Sequence, residues 1–308
     1  MDYWTSTLVY YVKQTRFNFK QLDNMISTVK KQHYVWEHYL DAWSINGKIW
    51  CKRNDSVFHT STENVAQERY FYETEPLTEN ETTLLLRVIN RFPPSSHLVH
   101  HSSLFSHLLT SEGNEKVRKN GIEHFHNIIE GKVVSIVNIL REGNTSVLEN
   151  KQNKIDFCIF LGQQYTRTKK IKNTTLKILE STRVPEEFRN CDFQKVFRVL
   201  SFLLANNIGY WIYEQAEIVI LRNDTDKELI TGDQPIYNLF AKNGEEINDV
   251  ELYYPLSPKF ALLATKNPRG RQSIDIESVA IYNRHILSIA HESIFFSKEE
   301  SLQQLMSL

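Results

Sequence analysis

Between residues 96 and 208, apolar side chains recur at a spacing of about 3.6 residues through four long stretches. These are "SHLVHHSSLFSHLLTS", "VRKNGIEHFHNIIEGKVVSIVNILRE", "KIDFCIFLGQQYTRTKKIKNTTLKILEST" and "FQKVFRVLSFLLANN". On either side of this block the pattern changes to short β-branched and aromatic runs separated by turn residues. A chain of this kind cannot be a pure bundle or a pure sandwich. It predicts an α+β fold, with a predominantly helical middle layer (96–208) packed against a small, mostly antiparallel sheet. That sheet is formed by an N-terminal hairpin and C-terminal strands. No repeat or low-complexity linker interrupts the sequence, so one domain over 1–308 is expected, in three parts: 1–95, 96–208 and 209–308.

The flanking parts are readable in outline. Residues 17–43 read mostly helical with a break at Gln32–His33, and Trp36, Leu40 and Trp43 fall on one helix face. "KIWCKR" and "SVFHTS" predict a hairpin turning at Asn54–Asp55. "ERYFYETEPLTENETTLLLRVINRF" passes from an aromatic strand or turn into a helix that starts near Pro76 and ends at Phe92-Pro93-Pro94. After residue 209 come "YWIYEQAEIVILRND", "ELITGDQPIYNLF" and "VELYYPLSPKFALLATKN", read as strands, then the helix "IESVAIYNRHILSIAHESIFF" and a short tail helix.

Composition excludes several classes. A net charge of -1 exerts no global pull toward nucleic acid or an anionic membrane, so any such binding needs a local patch. The longest apolar stretch, "VLSFLLANNIGYWIY", is interrupted by Asn206, Asn207 and Gly209 and is too short and polar to span a bilayer. The start of the chain has no basic leader, and the three cysteines, Cys51, Cys158 and Cys191, are odd in number and far apart. A cytoplasmic protein in a reducing compartment is expected, without a disulfide framework or a membrane partner. No Walker loop, Gly-x-Gly-x-x-Gly, His-Glu-x-x-His or Gly-x-Ser-x-Gly is present.

Four short segments carry polar residues that their own secondary structure does not require: "QHYV" (Gln32 to Val35), "GQQYTRT" (Gly162 to Thr168), "TGDQP" (Thr231 to Pro235) and "YNRHILSIA" (Tyr282 to Ala290). Together with "VAQERYFYE" and "YYPLSP", and in this order, they resemble the bacterial family catalogued as domain of unknown function 4238, over about Lys30 to Phe296. Gln32, His33, Tyr34, Val35, Tyr39 and Leu40 match its opening, and Gln164, Arg167 and Thr168 match its Gln-x-x-Arg-Thr. Asp233 and Pro235 match its Asp-Asn-Pro, and Asn283 matches the asparagine of its last helix. The chain departs from the family pattern at Trp36, where a proline is usual, and at Gln234, where an asparagine is usual. The resemblance implies a role in anti-phage defence, with a toxic effector as the expected activity.

Each residue has two readings. His33 is either a general acid or base placed just before a helix N-terminus that favours an anion such as phosphate, or a capping histidine bonded to Glu37. Gln164 and Arg167, three apart on one helix face, either bind a phosphate or carboxylate or serve an internal ion pair. Asp233 is a turn residue, or a carboxylate that orients His33 or holds a metal. Asn283, a poor helix-interior choice, bonds either the Asp233 turn or a ligand. Arg167, Lys169, Lys170, Lys172 and Lys177 form the strongest basic run, read as a solvated face or a nucleic-acid contact. His97 with His101, and His124 with His126, lack the carboxylate that would complete a zinc pattern. The combined expectation is a phosphodiester-cleaving (nuclease-like) or nucleotide-modifying effector. His33 and Asp233 are its catalytic candidates, and Gln32, Gln164, Arg167, Asn283, Lys169 and Lys170 are its substrate-binding candidates. The cofactor is left open, a divalent metal being one option. The alternative is a non-enzymatic sensor with a structural polar network.

Overall fold

The computed structural model describes residues 26–89, 115–179, 185–240, 250–268 and 272–302. The expected tail helix, the "SHLVHHSSLFSHLLTS" stretch with His97 and His101, and Phe92-Pro93-Pro94 lie outside them. The described helices are α1 (Glu37–Leu40), α2 (Glu79–Ile89), α3 (Glu115–Leu140), α4 (Lys151–Thr166), α5 (Lys169–Leu179), α6 (Phe193–Gln215) and α7 (Ile276–Ile289). The strands are β1 (Lys31–His33), β2 (Lys48–Arg53), β3 (Ser56–Ser61), β4 (Gln67–Arg69), β5 (Glu217–Asn223), β6 (Thr231–Gly232), β7 (Tyr237–Asn238), β8 (Leu252–Pro255), β9 (Phe260–Thr265), β10 (Gln272–Ile274) and β11 (Ser293–Phe296). The fold is α+β.

Hydrophobic periodicity explains the helical layer. α4 lies against α6, with α3 packed on α4 and α2 and α5 packed on α6. The α4–α6 approach is set by two glycines: a Cβ on Gly162 would overlap the Ala205 carbonyl oxygen and stand 2.9 Å from the Gly209 nitrogen. Both positions must therefore be bare for the backbones to meet. Side-chain caps start several helices. Thr78 and Glu81 form a reciprocal capping box before α2, with the Glu81 N–H donating to Thr78 Oγ1 at 3.3 Å and the Thr78 N–H donating to Glu81 Oε2 at 2.8 Å.

The hairpin β2–β3 turns at Asn54, whose φ is +51°, as the sequence predicts. It joins C-terminal strands in a four-stranded sheet of order β3-β2-β11-β6. The remaining strands do not extend that sheet. They form a separate five-stranded sheet, β10-β5-β9-β8-β7, in which β10 runs parallel to β5, and α7 carries the chain from β10 to β11 in the other sheet. The five-stranded sheet is buried on both faces. Ile220, Tyr254 and Leu262 join the core shared with the helical layer, while their neighbours Leu221, Tyr253 and Ala261 join a second core with α7 and Phe296. Alternation along each strand therefore sends apolar side chains both ways, which is why these strands read as unbroken apolar runs.

Several expectations are corrected: Tyr210–Gln215, read as the start of a strand, continues α6; Ser293–Phe296, read as the end of the last helix, is β11; and two stretches read as helical are not continuous helix. Residues 26–30 are not helical, and Lys31–His33 is a strand antiparallel to β4, with His33 opposite Gln67. The Tyr34 and Val35 amides then both donate to the Ala66 carbonyl, at 2.9 and 3.4 Å, so the backbone is satisfied without a helix. Helix resumes only at Glu37, where the expected Trp36, Leu40 and Trp43 stripe is buried and Trp43 Nε1 donates to the Leu229 carbonyl at 2.7 Å. The long stretch 154–182 also breaks, at Arg167–Thr168, into α4 and α5. Thr168 Oγ1 accepts the Ile171 N–H at 3.4 Å and caps α5.

Candidate functional site

The break between α4 and α5 is the centre of the polar interior. Gln164, in the last turn of α4, is fully buried and bridges the main chain on both sides of Val35: its Nε2 donates to the Tyr34 carbonyl at 3.2 Å and its Oε1 accepts the Trp36 N–H at 3.2 Å. Trp36 N–H, one of the amides at the start of α1, is therefore already occupied. Arg167 is 4 % exposed. Its Nη1 donates to Glu130 Oε1 at 2.6 Å and its Nη2 to Gln164 Oε1 at 2.7 Å. Its Nε is buried without a partner among the described residues.

His33 lies in the field of this guanidinium. Burial and Arg167 lower its pKa, opposed by the Glu63 carbonyl. The imidazole is therefore neutral near pH 7, and its buried Nε2 has no hydrogen-bond partner among the described residues. The ring is not bonded to Glu37, which instead accepts from Thr62 Oγ1 at 3.3 Å. The strand carrying His33 is held by Tyr72, whose hydroxyl donates to the His33 carbonyl at 2.9 Å. It pairs with β4, which is flanked by Ala66 and Tyr70, both at φ +50°, in the left-handed region that costs a non-glycine residue energy.

The other expected residues serve the fold. Gln32 accepts the Tyr72 N–H at 2.8 Å and donates to the Lys119 carbonyl at 2.6 Å. Asp233, 1 % exposed, accepts the N–H groups of His291 (2.7 Å), Glu292 (2.7 Å) and Ser293 (3.0 Å). Its hydrogen bonds organise the turn from α7 into β11, and none reaches His33. Burial pushes its pKa up against the pull of these three N–H groups. Asn283 spans residues 228–230, donating to the Glu228 carbonyl at 2.9 Å and accepting the Ile230 N–H at 3.0 Å. Thus Gln164, Arg167 and His33 come together, Gln32 adjoins them through Tyr72, and Asp233 and Asn283 fasten the C-terminal part separately. Among the described residues, no group of three or more His, Cys, Asp or Glu side chains could hold a metal ion.

The basic run is divided by the start of α5. Arg167 is buried on Glu130. Lys169 pairs with Glu68 at 3.1 Å and Glu292 at 3.5 Å, and Lys172 lies over the Phe71 ring at 5.4 Å. Lys177 is exposed, and Lys170 lines a cavity on the other side of the α4–α5 junction. A single continuous cationic face does not form.

Three titratable residues of α3 complete the cluster. Burial and Glu130 push Glu123 up to about 8 against the pull of Arg167. Burial also raises Glu130, opposed by Arg167. His126, bonded through Nδ1 to Gln163 Oε1 at 3.1 Å, is pushed down to about 3 by burial and then Arg167. Glu123, His126 and Glu130 stand at i, i+3 and i+7, one face of a helix, a spacing already present in "EHFHNIIE". Pairing His126 with His124 across Phe125 hides that signal.

These shifts predict a pH dependence. Glu123 rises from an ordinary 4.5 to about 8 on folding, so its contribution is present below 4.5 and is lost as pH rises through about 8. His126 falls from 6.5 to about 3, so its contribution is present above 6.5 and is lost as pH falls toward 3. Glu123→Gln is therefore expected to raise the melting temperature relative to wild type increasingly from pH 5 to pH 9, about the range spanned by that shift. Thermal melts across that range check it, and a constant difference between the two proteins would rule out a buried, titrating Glu123.

Among the described residues, no helix is long and apolar enough to cross a membrane. No curated protein and no solved structure matches the chain. A family profile does, across residues 31–300, which include every one of the polar segments just described. The chain belongs to the family described as protein of unknown function (DUF4238).

Proposed function

We propose that the protein is a cytoplasmic anti-phage defence effector whose enzymatic activity is phosphodiester cleavage or nucleotide modification, with His33 as its proton-transfer group. The observation that carries this reading is the buried Nε2 of His33, without a partner among the described residues and in the field of a permanent cation. A neutral imidazole with an unused lone pair is suited to take a proton from an attacking hydroxyl or water. The strained residues Ala66 and Tyr70 add to it, since such backbone is retained where a local geometry matters. Arg167 is a positioning residue in this scheme. Both its Nη atoms are engaged, so it acts by keeping His33 unprotonated rather than by gripping substrate. Glu123, protonated near neutrality, is the complementary proton donor in the same field.

A second reading, a non-enzymatic sensor of a phage component, is favoured by a different observation. Gln32, Asp233 and Asn283 direct their hydrogen bonds to main-chain groups, and Gln164 bonds two main-chain groups besides Arg167. His33→Gln separates the two. Induced in a bacterial host, the wild type is expected to arrest growth and deplete a nucleotide or RNA pool. The variant is expected to do neither while melting within about 4 °C of wild type, about the shift of a 1 kcal/mol change or less. Growth arrest undiminished by His33→Gln would remove His33 from the mechanism and leave the sensor reading.

A further inference from the structure

Beyond the Arg167 cluster, on the other side of the α4–α5 junction, lies a cavity of about 370 Å³. It is an open cleft bounded by the end of α4, the first turns of α5, the segment from Gln234 through β7, and the last turn of α7. Neither His33 nor Arg167 lines it. Its polar wall includes Tyr165, Lys170, Thr174, Gln234 and Ser288, and three isoleucines supply apolar surface. No carboxylate lines it, so Lys170 gives it a net positive charge. Lys170 forms no ion pair with any described carboxylate, unlike Lys169 next to it.

We infer that this cavity is a binding site for a nucleoside monophosphate, with the phosphate on Lys170 and the base against the tyrosine and amide side chains. The volume, at the lower end for ligand sites, suits one small molecule rather than a strand. One unpaired cation with hydroxyl neighbours matches one phosphate group. Tyr237, also in the wall, is held flat by stacking on His285 (4.7 Å between centroids, 18° between planes). It thereby forms part of a rigid aromatic surface of the kind that bases stack on. Gln234 is 2 % exposed and uses one amide N–H on the Ile236 carbonyl at 2.9 Å and its oxygen on Thr168, leaving one N–H for a base edge. Tyr165 makes no hydrogen bond to a described residue, and burial raises its pKa, so its hydroxyl stays a neutral donor. The same Thr168–Gln234 bond ties the cavity to the residue after Arg167, so occupancy is mechanically connected to the His33 cluster.

Calorimetric titration of the purified 308-residue chain with each of the four common ribonucleoside monophosphates, and with inorganic phosphate, tests this. Saturable binding of at least one nucleotide is expected, weakened by about tenfold or more in Lys170→Ala, the loss of one charge-assisted contact. Binding should be abolished in Ser288→Trp, which fills the cavity from an exposed position on α7. His33→Gln should bind as wild type does, so failure of the proposed catalytic role and failure of this site are told apart. Absence of saturable binding by all four nucleotides would overturn the inference. So would affinity unchanged in both cavity variants, or inorganic phosphate binding as tightly as the best nucleotide.

Discussion

Arg167→Met is expected to cost about 3 kcal/mol of unfolding free energy, because it removes the fully buried partner of a largely buried carboxylate. Glu130 lies within the helical layer with its Oε1 2.6 Å from Arg167 Nη1. Without the guanidinium it must either remain charged in an apolar surrounding or take up a proton, and Gln164 Oε1 loses its donor as well. The loss should be largest above neutral pH, where protonating Glu130 is most costly. Adding Glu130→Gln to Arg167→Met should recover a large part of the loss, since the pair is then removed together. Urea unfolding of the four proteins of this cycle measures it. If the single variant unfolds at the wild-type midpoint, the ion pair is not buried as described.

Gly162→Ala is expected to be comparably damaging, about 3 kcal/mol or more, by a different mechanism. The added methyl overlaps the Ala205 carbonyl oxygen and crowds the Gly209 backbone, and neither can swing aside as a side chain can. α4 would have to move off α6, the most extensive helix contact in the layer, and α4 carries Gln163 and Gln164. Loss of stability should therefore come with loss of the Gln164 bridge to Tyr34 and Trp36. Gly131→Ala, on α3 with open space around it, is the control and should be neutral or slightly stabilising, by less than about 1 kcal/mol. A Gly162→Ala protein as stable as that control would show that α4 and α6 do not approach as closely as this.

Much of the fold is legible in the chain because it rests on local periodicity. The long helices α3, α4 and α6 follow the 3.6-residue pattern, and the hairpin follows from two alternating runs around Asn54. Where sequence and structure diverge, a long-range hydrogen bond has overridden a local preference. Lys31–His33 extends because β4, more than thirty residues away, pairs with it and Ala66 accepts the next two amides. α4 stops at Thr166 because Thr168 caps a new helix and Arg167 turns toward Glu130. The two sheets cannot be separated in the sequence, since strands buried on both faces carry no mark of which sheet they enter.

The candidate site shows the same division. Gln32, Gln164, Arg167, Asp233 and Asn283 stand out in the sequence as polar residues in apolar or turn settings, and each does make specific contacts within the fold. Their partners are not visible there, because a side chain's need for a hydrogen bond is local while the group that meets it arrives through tertiary packing. The sequence by itself determined the α+β architecture, the helical layer, the hairpin and a few of the polar residues that prove to be buried, all consequences of residue type and spacing. Only the tertiary structure decided that Asp233 and Asn283 fasten turns and segments rather than join His33. It alone placed Glu123, His126 and Glu130 around Arg167, and split the basic run so that Lys170 faces a cavity. The reason is physical: burial, desolvation and the field of a neighbouring charge depend on distances in space that sequence separation does not encode.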